Sequence, residues 1–207
     1  AEAEIEYEDI TSPSVYVRFR TDNPESLKLQ PKKKVNLLIW TTTPWTLVAN
    51  VAVAVHEGFE YNCVELDDEI LIIEKSLSAS VLAKNEITDF KVIKTVFGKD
   101  LTKLTYQHPL GLRKSCPVVA ADYVTKEDGT GLVHTAPGHG ADDFETGKKH
   151  NLEVVMPVDD RGIYTKEAGK YAGDHVWKAN ERIINDLKAD GALFKEEKIR
   201  HSYPHSW

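Results

Sequence analysis

VNLLIWTTTPWT, residues Val35 to Thr46, sets an apolar run directly before three consecutive hydroxyls, a proline and a tryptophan. VNLLIWTTT reads as a mostly buried β-strand, which Pro44 ends or holds at a sheet edge because proline has no N–H to give to a ladder. In a strand, Thr41 and Thr43 face one way, and Trp40 and Thr42 face the other. The donor missing at Pro44 leaves the preceding backbone free to face a ligand. Hydroxyls both donate and accept, so such a cluster suits a polar substrate or a positioned water. Threonine is also simply a good strand residue.

Outward from this stretch the chain is strand-rich. SVYVRFR (Ser14 to Arg20) alternates as a strand, VAVAV (Val51 to Val55) is a short strand, and FEYNCVEL with EILIIEK forms a hairpin around Asp67 and Asp68. PESLKLQPKKK is a loop or short helix, EKSLSASVLAK a helix, and ITDFKVIKTVFG a strand. EDGTG (Glu127 to Gly131) is a tight turn, and VVMPVDDRGIYT reads as strand, turn, strand. HVWKANERIINDLKADG is the clearest helix, with Trp177, Ile184 and Leu187 expected on its buried face and Gly191 as its left-handed stop. ALFKEEKIRHSYP leaves as an extended segment. The expected fold is a β-rich mixed α/β domain, its core a barrel-like or strongly curved sheet decorated by helices, with residues 1–207 as one domain.

Composition narrows the functional classes. The 207 residues are 41% hydrophobic and 29% charged, which is ordinary for a globular domain. No stretch approaches the ~20 apolar residues of a membrane span, and no secretory signal opens the chain. The formal net charge of −7 argues against non-specific coating of nucleic acid, though not against a local grip on one RNA end. The acidic run AEAEIEYED and the basic KLQPKKK (Lys28 to Lys34) read as solvated surface. Cys63 and Cys116 lie far apart and outside any CxxC pair, which fits a reducing cytoplasm. The chain lacks an initial methionine and stops at HSYPHSW, as expected of a piece excised from a larger protein.

A second informative stretch is GTGLVHTAPGHGADDFE, residues 129–145. His134 lies on a strand, His139 in a glycine-rich loop where Gly138 and Gly140 allow close backbone approach, and Asp142 and Asp143 at a helix start. ADDFETGKKH has the carboxylates and lysines that a helix dipole favours at its two ends. The two aspartates could cap that helix. An ionised aspartate at a pocket mouth would equally bind an ammonium group. His-x4-His is a zinc spacing that belongs on a helix, and Pro137 and Gly138 interrupt it. No nucleophile elbow, GxGxxG or phosphate loop accompanies these residues.

Together, WTTTPWTLVAN (Trp40 to Asn50) and GTGLVHTAPGHGADDFETGKKHNLEVVMPVDDRGIY (Gly129 to Tyr164) resemble the editing domain inserted into isoleucyl-tRNA synthetases. The resemblance covers essentially the whole chain, with AEAEIEYED and HSYPHSW similar to the junctions where that insertion leaves and rejoins the synthetase body. One departure is Val48, where the family usually has proline. The synthetic signatures HIGH and KMSKS are absent. The resemblance implies hydrolysis of valine wrongly esterified to the terminal adenosine of the isoleucine tRNA. One methylene separates the two amino acids and is worth only ~1–3 kcal/mol in an apolar pocket, isoleucine against valine being the standard example.

The resemblance also implies roles. Asp143 holds the substrate's α-ammonium. His134 lines the side-chain pocket and helps to exclude isoleucine. Thr41, Thr42 and Thr43 contact the ester and terminal ribose and order water, while threonine hydroxyls and backbone donors stabilise the oxyanion. Trp40 and Trp45 flank this wall, one of them stacking on adenine, and Asn50 is a further polar position near the site. No metal or cofactor is implied. The partners are the tRNA(Ile) acceptor end carrying valine and the remainder of the parent synthetase, with the domain a cytoplasmic monomer and no membrane involved. The alternative is a module that docks the acceptor end without hydrolysis. His139, His201 and His205 receive no role.

Overall fold

The computed structural model describes the backbone of residues 5–206 and the side chains of residues 12–198. The side chains of AEAEIEYED and of HSYPHSW, His201 and His205 included, lie outside the described residues. The chain begins with strand β1 (Ile5–Arg20) and a 3₁₀ turn (Pro24–Leu27), then β2 (Lys34–Thr41), a 3₁₀ turn (Pro44–Ala49) and β3 (Ala52–Val55). The hairpin β4 (Glu60–Glu65) and β5 (Glu69–Glu74) leads to α1 (Ser78–Ala83), β6 (Lys91–Phe97) and α2 (Gly98–Leu101). Then come β7 (Thr105–Tyr106), β8 (Cys116–Ala120), β9 (Leu132–Thr135), α3 (Ala141–Lys149), α4 (Val176–Ala189) and β10 (Leu193–Ser206).

The strands make two sheets. One runs β10-β1-β2-β5-β4-β6 and the other β7-β8-β3-β9. Among the described residues only the β2–β5 and β3–β8 pairs are parallel. The strand-rich α/β expectation therefore holds, but among the described residues neither sheet closes into a barrel: the first ends at edges β10 and β6, the second at β7 and β9. An isolated bridge, Thr21 to Tyr106, links the end of the β1 segment to β7.

Alternation along the strands decides where the cores lie. Val35, Leu37 and Ile39 of β2 point into the main core with Val53 and Val55 of β3, Val118 of β8 and Leu132 of β9. Leu38 points the other way, onto Val81 and Leu82 of α1 and onto Phe194. β2 is thus covered on both faces, which is why its sequence is a nearly continuous apolar run rather than an alternating one. Similarly, Ala52 and Ala54 of β3 face a smaller core with Val119, Val124, Ala136 and Val155. The edge strand β6 is largely exposed and begins with Lys91, a usual protection against edge pairing.

Two further expectations change. Trp177 is 68% exposed and does not share the buried face of α4, which consists of Val176, Ala179, Ile183, Ile184 and Leu187. That apolar stripe begins one residue earlier, and a one-residue offset turns a side chain by about 100°. Within VVMPVDDRGIYT the turn forms, with Asp159 Oδ1 accepting the Arg161 and Ile163 N–H groups at 2.9 and 3.0 Å and Gly162 at φ +78°. Its flanks meet only at the bridge Val158 to Tyr164 instead of forming strands. Gly191 has φ +74° directly after the α4 cap residue Asp190, as expected of a helix stop.

Candidate active site

The end of β2 determines the site. β2 stops at Thr41, and Pro44 occupies the first position of the following 3₁₀ turn, where a missing N–H costs nothing. The strand alternation expected for TTT therefore does not continue. The chain bends after Thr41, and Trp40, Thr41, Thr42 and Thr43 all line one cavity of about 370 Å³. Its opposite side is built from His134 on β9, the loop residues Ala136 and His139, and Asp143 of α3. The connection from Tyr123 to Gly131, with the start of β9, completes the lining.

That connection is clamped to the first sheet. The Thr130 hydroxyl donates to the Leu38 carbonyl at 2.6 Å, Tyr61 donates to the Gly131 carbonyl at 2.7 Å, and the Glu74 N–H donates to the Thr130 carbonyl at 2.9 Å. Gly131 has φ +82°, and a Cβ there would lie 2.4 Å from Glu74 Cβ, so only glycine permits this approach. Gly138 is required for a different reason. A Cβ would meet Met156 Sδ at 2.2 Å and the Val155 carbonyl at 2.9 Å, so packing against residues 155–156 requires the glycine.

Asp143 does not cap its helix. α3 begins after Gly140 with no side-chain cap, and the Asp143 carboxylate reaches back instead to the Ala136 N–H at 3.0 Å, with the Tyr123 hydroxyl donating at 3.3 Å. Burial raises the Asp143 pKa from the usual carboxylate value, while these two donors pull it down. Burial and the neighbouring carboxylate push the Tyr123 hydroxyl up to about 12, so it stays a donor. Asp142, one residue away, is exposed and lies outside the cavity lining.

Behind the wall lies a buried polar chain. His134 is 8% exposed; its Nε2 is 2.8 Å from Thr46 Oγ1 and its Nδ1 is 2.7 Å from Asn50 Nδ2. Burial, and to a lesser degree His139, lowers its pKa to about 3, so the ring is neutral at ordinary pH. Both ring nitrogens are occupied by protein partners, which leaves none for a metal. Asn50 is fully buried and is not in the lining; it sits behind His134. Trp45 is also outside the lining. It is a half-buried part of the main core, edge-on to His139 at 5.1 Å, and its backbone N–H donates to Asn180 Oδ1 of α4 at 3.0 Å. Trp40 is the tryptophan that faces the cavity, with Gly129 against its ring and its Nε1 buried without a partner among the described residues.

The leucyl-tRNA synthetase editing-domain model matches residues 25–200. The chain belongs to that family. Curated relatives named isoleucine–tRNA ligase from Fervidobacterium pennivorans, Petrotoga mobilis and Archaeoglobus fulgidus are 51%, 50% and 48% identical to it across 100% of the chain. The chain spans only 22%, 22% and 20% of their lengths. A solved structure described as the crystal structure of GlLeuRS-CP1 superposes with a TM-score of 0.71 at 17% identity, covering 89% of this chain and 98% of that one. At that identity the likeness is one of fold.

In this editing-domain family member, sequence reasoning missed several residues that build the cavity. Thr46 closes the hydroxyl cluster: its Oγ1 donates to the Thr43 carbonyl at 2.8 Å and lies 3.2 Å from Thr43 Oγ1. It is the last residue of TTTPWT, and one 3₁₀ turn brings position 46 back over position 43. Tyr123 and Tyr106, which hold Asp143 and Asn50, carry no local signal because they arrive from distant loops and strands. His139 lines the cavity with Nε2 buried and unpartnered among the described residues.

Proposed function

We propose that this chain is the editing domain of an isoleucine–tRNA ligase and that it hydrolyses valine from valyl-tRNA(Ile) while rejecting isoleucyl-tRNA(Ile). The observation that carries the reading is the placement of a half-buried carboxylate, Asp143, in one cavity with the threonines at 41 to 43 and the neutral imidazole of His134. Asp143 receives the α-ammonium, and His134 bounds the amino-acid side chain. The threonine wall meets the ester and ribose, and Trp40, which lines the cavity, is the tryptophan that stacks on adenine. Thr41, Thr42, Thr43 and Asp143 are the groups placed closest to the reaction. Trp45 and Asn50 support them from outside the cavity.

In the proposed step, water oxygen bonds to the ester carbonyl carbon and the bond from that carbon to the ribose oxygen breaks. The proton given up by water ends on the ribose oxygen, and free valine leaves. Asp143 positions and does not act as base, because a carboxylate paired with an ammonium is a poor proton acceptor. The partners of this reading are the tRNA acceptor end and the remainder of the ligase, in the cytoplasm, with the domain monomeric. Among the described residues, no helix is long and apolar enough to cross a membrane.

The test is valine release from valyl-tRNA(Ile), with isoleucyl-tRNA(Ile) as control. Rapid loss of valine alone supports the reading. Failure of both esters to hydrolyse, in a folded chain that still binds a non-hydrolysable valyl-adenosine analogue, refutes hydrolysis by this chain and leaves a binding module.

A further inference from the structure

The hydrogen bonds behind the cavity have a direction, fixed by atoms that can play only one role. The Ala52 carbonyl oxygen only accepts, and it lies 3.0 Å from Asn50 Nδ2; the Tyr106 hydroxyl donates to Asn50 Oδ1. The amide orientation follows: Nδ2 gives one hydrogen to Ala52 and the other, at 2.7 Å, to His134 Nδ1. Nδ1 is therefore an acceptor, and the neutral ring carries its proton on Nε2. Nε2–H donates to Thr46 Oγ1 at 2.8 Å, and the Thr46 hydrogen goes on to the Thr43 carbonyl at 2.8 Å.

With both remaining hydroxyl contacts counted as hydrogen bonds, their directions follow. Thr43 Oγ1, 3.2 Å from Thr46 Oγ1, donates to it because the Thr46 hydrogen is already committed. Thr41 Oγ1, 3.3 Å from Thr43 Oγ1, donates to that oxygen while accepting the Thr43 N–H at 3.1 Å. Both hydroxyl hydrogens of the wall are thus spent along the chain, and each oxygen keeps a lone pair free for a substrate in the cavity that Thr41, Thr43 and Thr46 line.

We propose that Tyr106, Asn50, His134 and Thr46 are positioning residues that fix the polarity of the threonine wall, so that Thr41 and Thr43 meet the substrate as hydrogen-bond acceptors. This deepens the hydrolytic reading above and rests on it. An acceptor wall takes hydrogens from the attacking water or from a ribose hydroxyl and so turns a water lone pair toward the ester carbon. It does not supply the donors for the developing oxyanion. Those come from outside this chain of bonds, where Thr42 lines the same cavity. Fixing the directions in advance avoids reorganising the dipoles during the reaction.

The test combines nitrogen NMR of the 207-residue chain, labelled with ¹⁵N in histidine, with hydrolysis of valyl-tRNA(Ile). In the wild-type chain, His134 is expected to show a protonated Nε2 and an unprotonated Nδ1. Asn50→Asp replaces the amide donor by an acceptor and should place a proton on Nδ1. Thr46→Val should lower kcat about tenfold with KM little changed, the scale of one lost buried hydrogen bond, and Thr46→Ser should restore it. Tyr106→Phe should lower kcat in the same direction by a smaller factor.

A wild-type His134 protonated on Nδ1 overturns the inference, even if Asn50→Asp fails to fold. So does a folded Thr46→Val that hydrolyses at the wild-type rate, and in both cases the hydrolytic reading survives. A wild-type chain with the expected tautomer but no hydrolysis of valyl-tRNA(Ile) refutes that reading instead, and the catalytic half of this inference with it.

Discussion

The Asp143 carboxylate turns back across the start of its own helix and accepts the Ala136 N–H at 3.0 Å, instead of capping α3. An aspartate held in this way is aimed at the cavity and is desolvated, and its pKa is raised above the ordinary carboxylate value chiefly for that reason. The proposed ammonium binding needs the ionised form. Valine release should therefore fall as pH drops, at a higher pH than an exposed aspartate would give, in a profile of kcat/KM. Asp143→Ala should abolish release through lost binding, and normal affinity of that variant for a valyl-adenosine analogue would remove Asp143 from the ammonium role. The stability sign is opposite to the activity sign. A raised acid favours the fold at pH below its unfolded pKa and loses that contribution as pH rises through the folded pKa. Asp143→Asn should accordingly raise Tm at neutral pH, and the difference should shrink in acid.

His134 bounds the cavity with both ring nitrogens engaged, so its position is fixed from behind as well as from the side of the threonines. If it sets the size limit for the amino acid, His134→Ala should shift the ratio of isoleucine to valine release toward isoleucine by about tenfold or more, the discrimination one methylene can carry. Valine release itself should also slow, because the wall loses its support. An unchanged ratio would place the size limit elsewhere in the cavity.

The loop that closes the cavity depends on Gly131. Its φ of +82° and the 2.4 Å distance from a Cβ to Glu74 Cβ combine backbone strain with a clash against β5. Gly131→Ala should cost roughly 2–3 kcal/mol in denaturant unfolding. In contrast, Gly173 has a φ of +90° with nothing within 4 Å of a Cβ, so Gly173→Ala should cost less, on the order of 1 kcal/mol. Equal costs at the two positions would mean that the clash is relieved and only the φ penalty counts.

Much of the fold was legible because its signals are local. The apolar run of β2, the β4–β5 hairpin and the α4 helix each follow from spacing within a few residues. The division into two open sheets was not legible, because it depends on parallel pairings between β2 and β5 and between β3 and β8, which join distant segments. At the site, TTT and HTAPGHGADD announced themselves as clusters. The family resemblance puts Asn50 and Trp45 beside the substrate, as neighbours of the threonine wall. The 3₁₀ turn after Pro44 carries them behind the wall instead, and it returns Thr46 to the cavity. Tyr106 and Tyr123 were invisible for the same reason as the sheet pairings: their partners Asn50 and Asp143 come from other parts of the chain.

Two buried histidines make the fold sensitive to acid. His108 and His134 have pKa values lowered from 6.5 to about 3, mainly by burial, with the charge of Arg113 adding to the effect on His108. Their side chains are used in the neutral form: His108 Nδ1 accepts the Leu110 and Leu112 N–H groups at 3.1 and 3.3 Å, as His134 Nδ1 accepts from Asn50. A base whose folded pKa is depressed contributes stability that is complete above its unfolded pKa and is lost as pH falls toward the folded value. Unfolding free energy should therefore decline between about pH 6.5 and pH 3, with net proton uptake on unfolding in that window. His108→Asn keeps an acceptor for the two N–H groups and removes the titration, so it should flatten the decline. If wild type and His108→Asn lose stability in parallel over this range, other groups dominate the acid response.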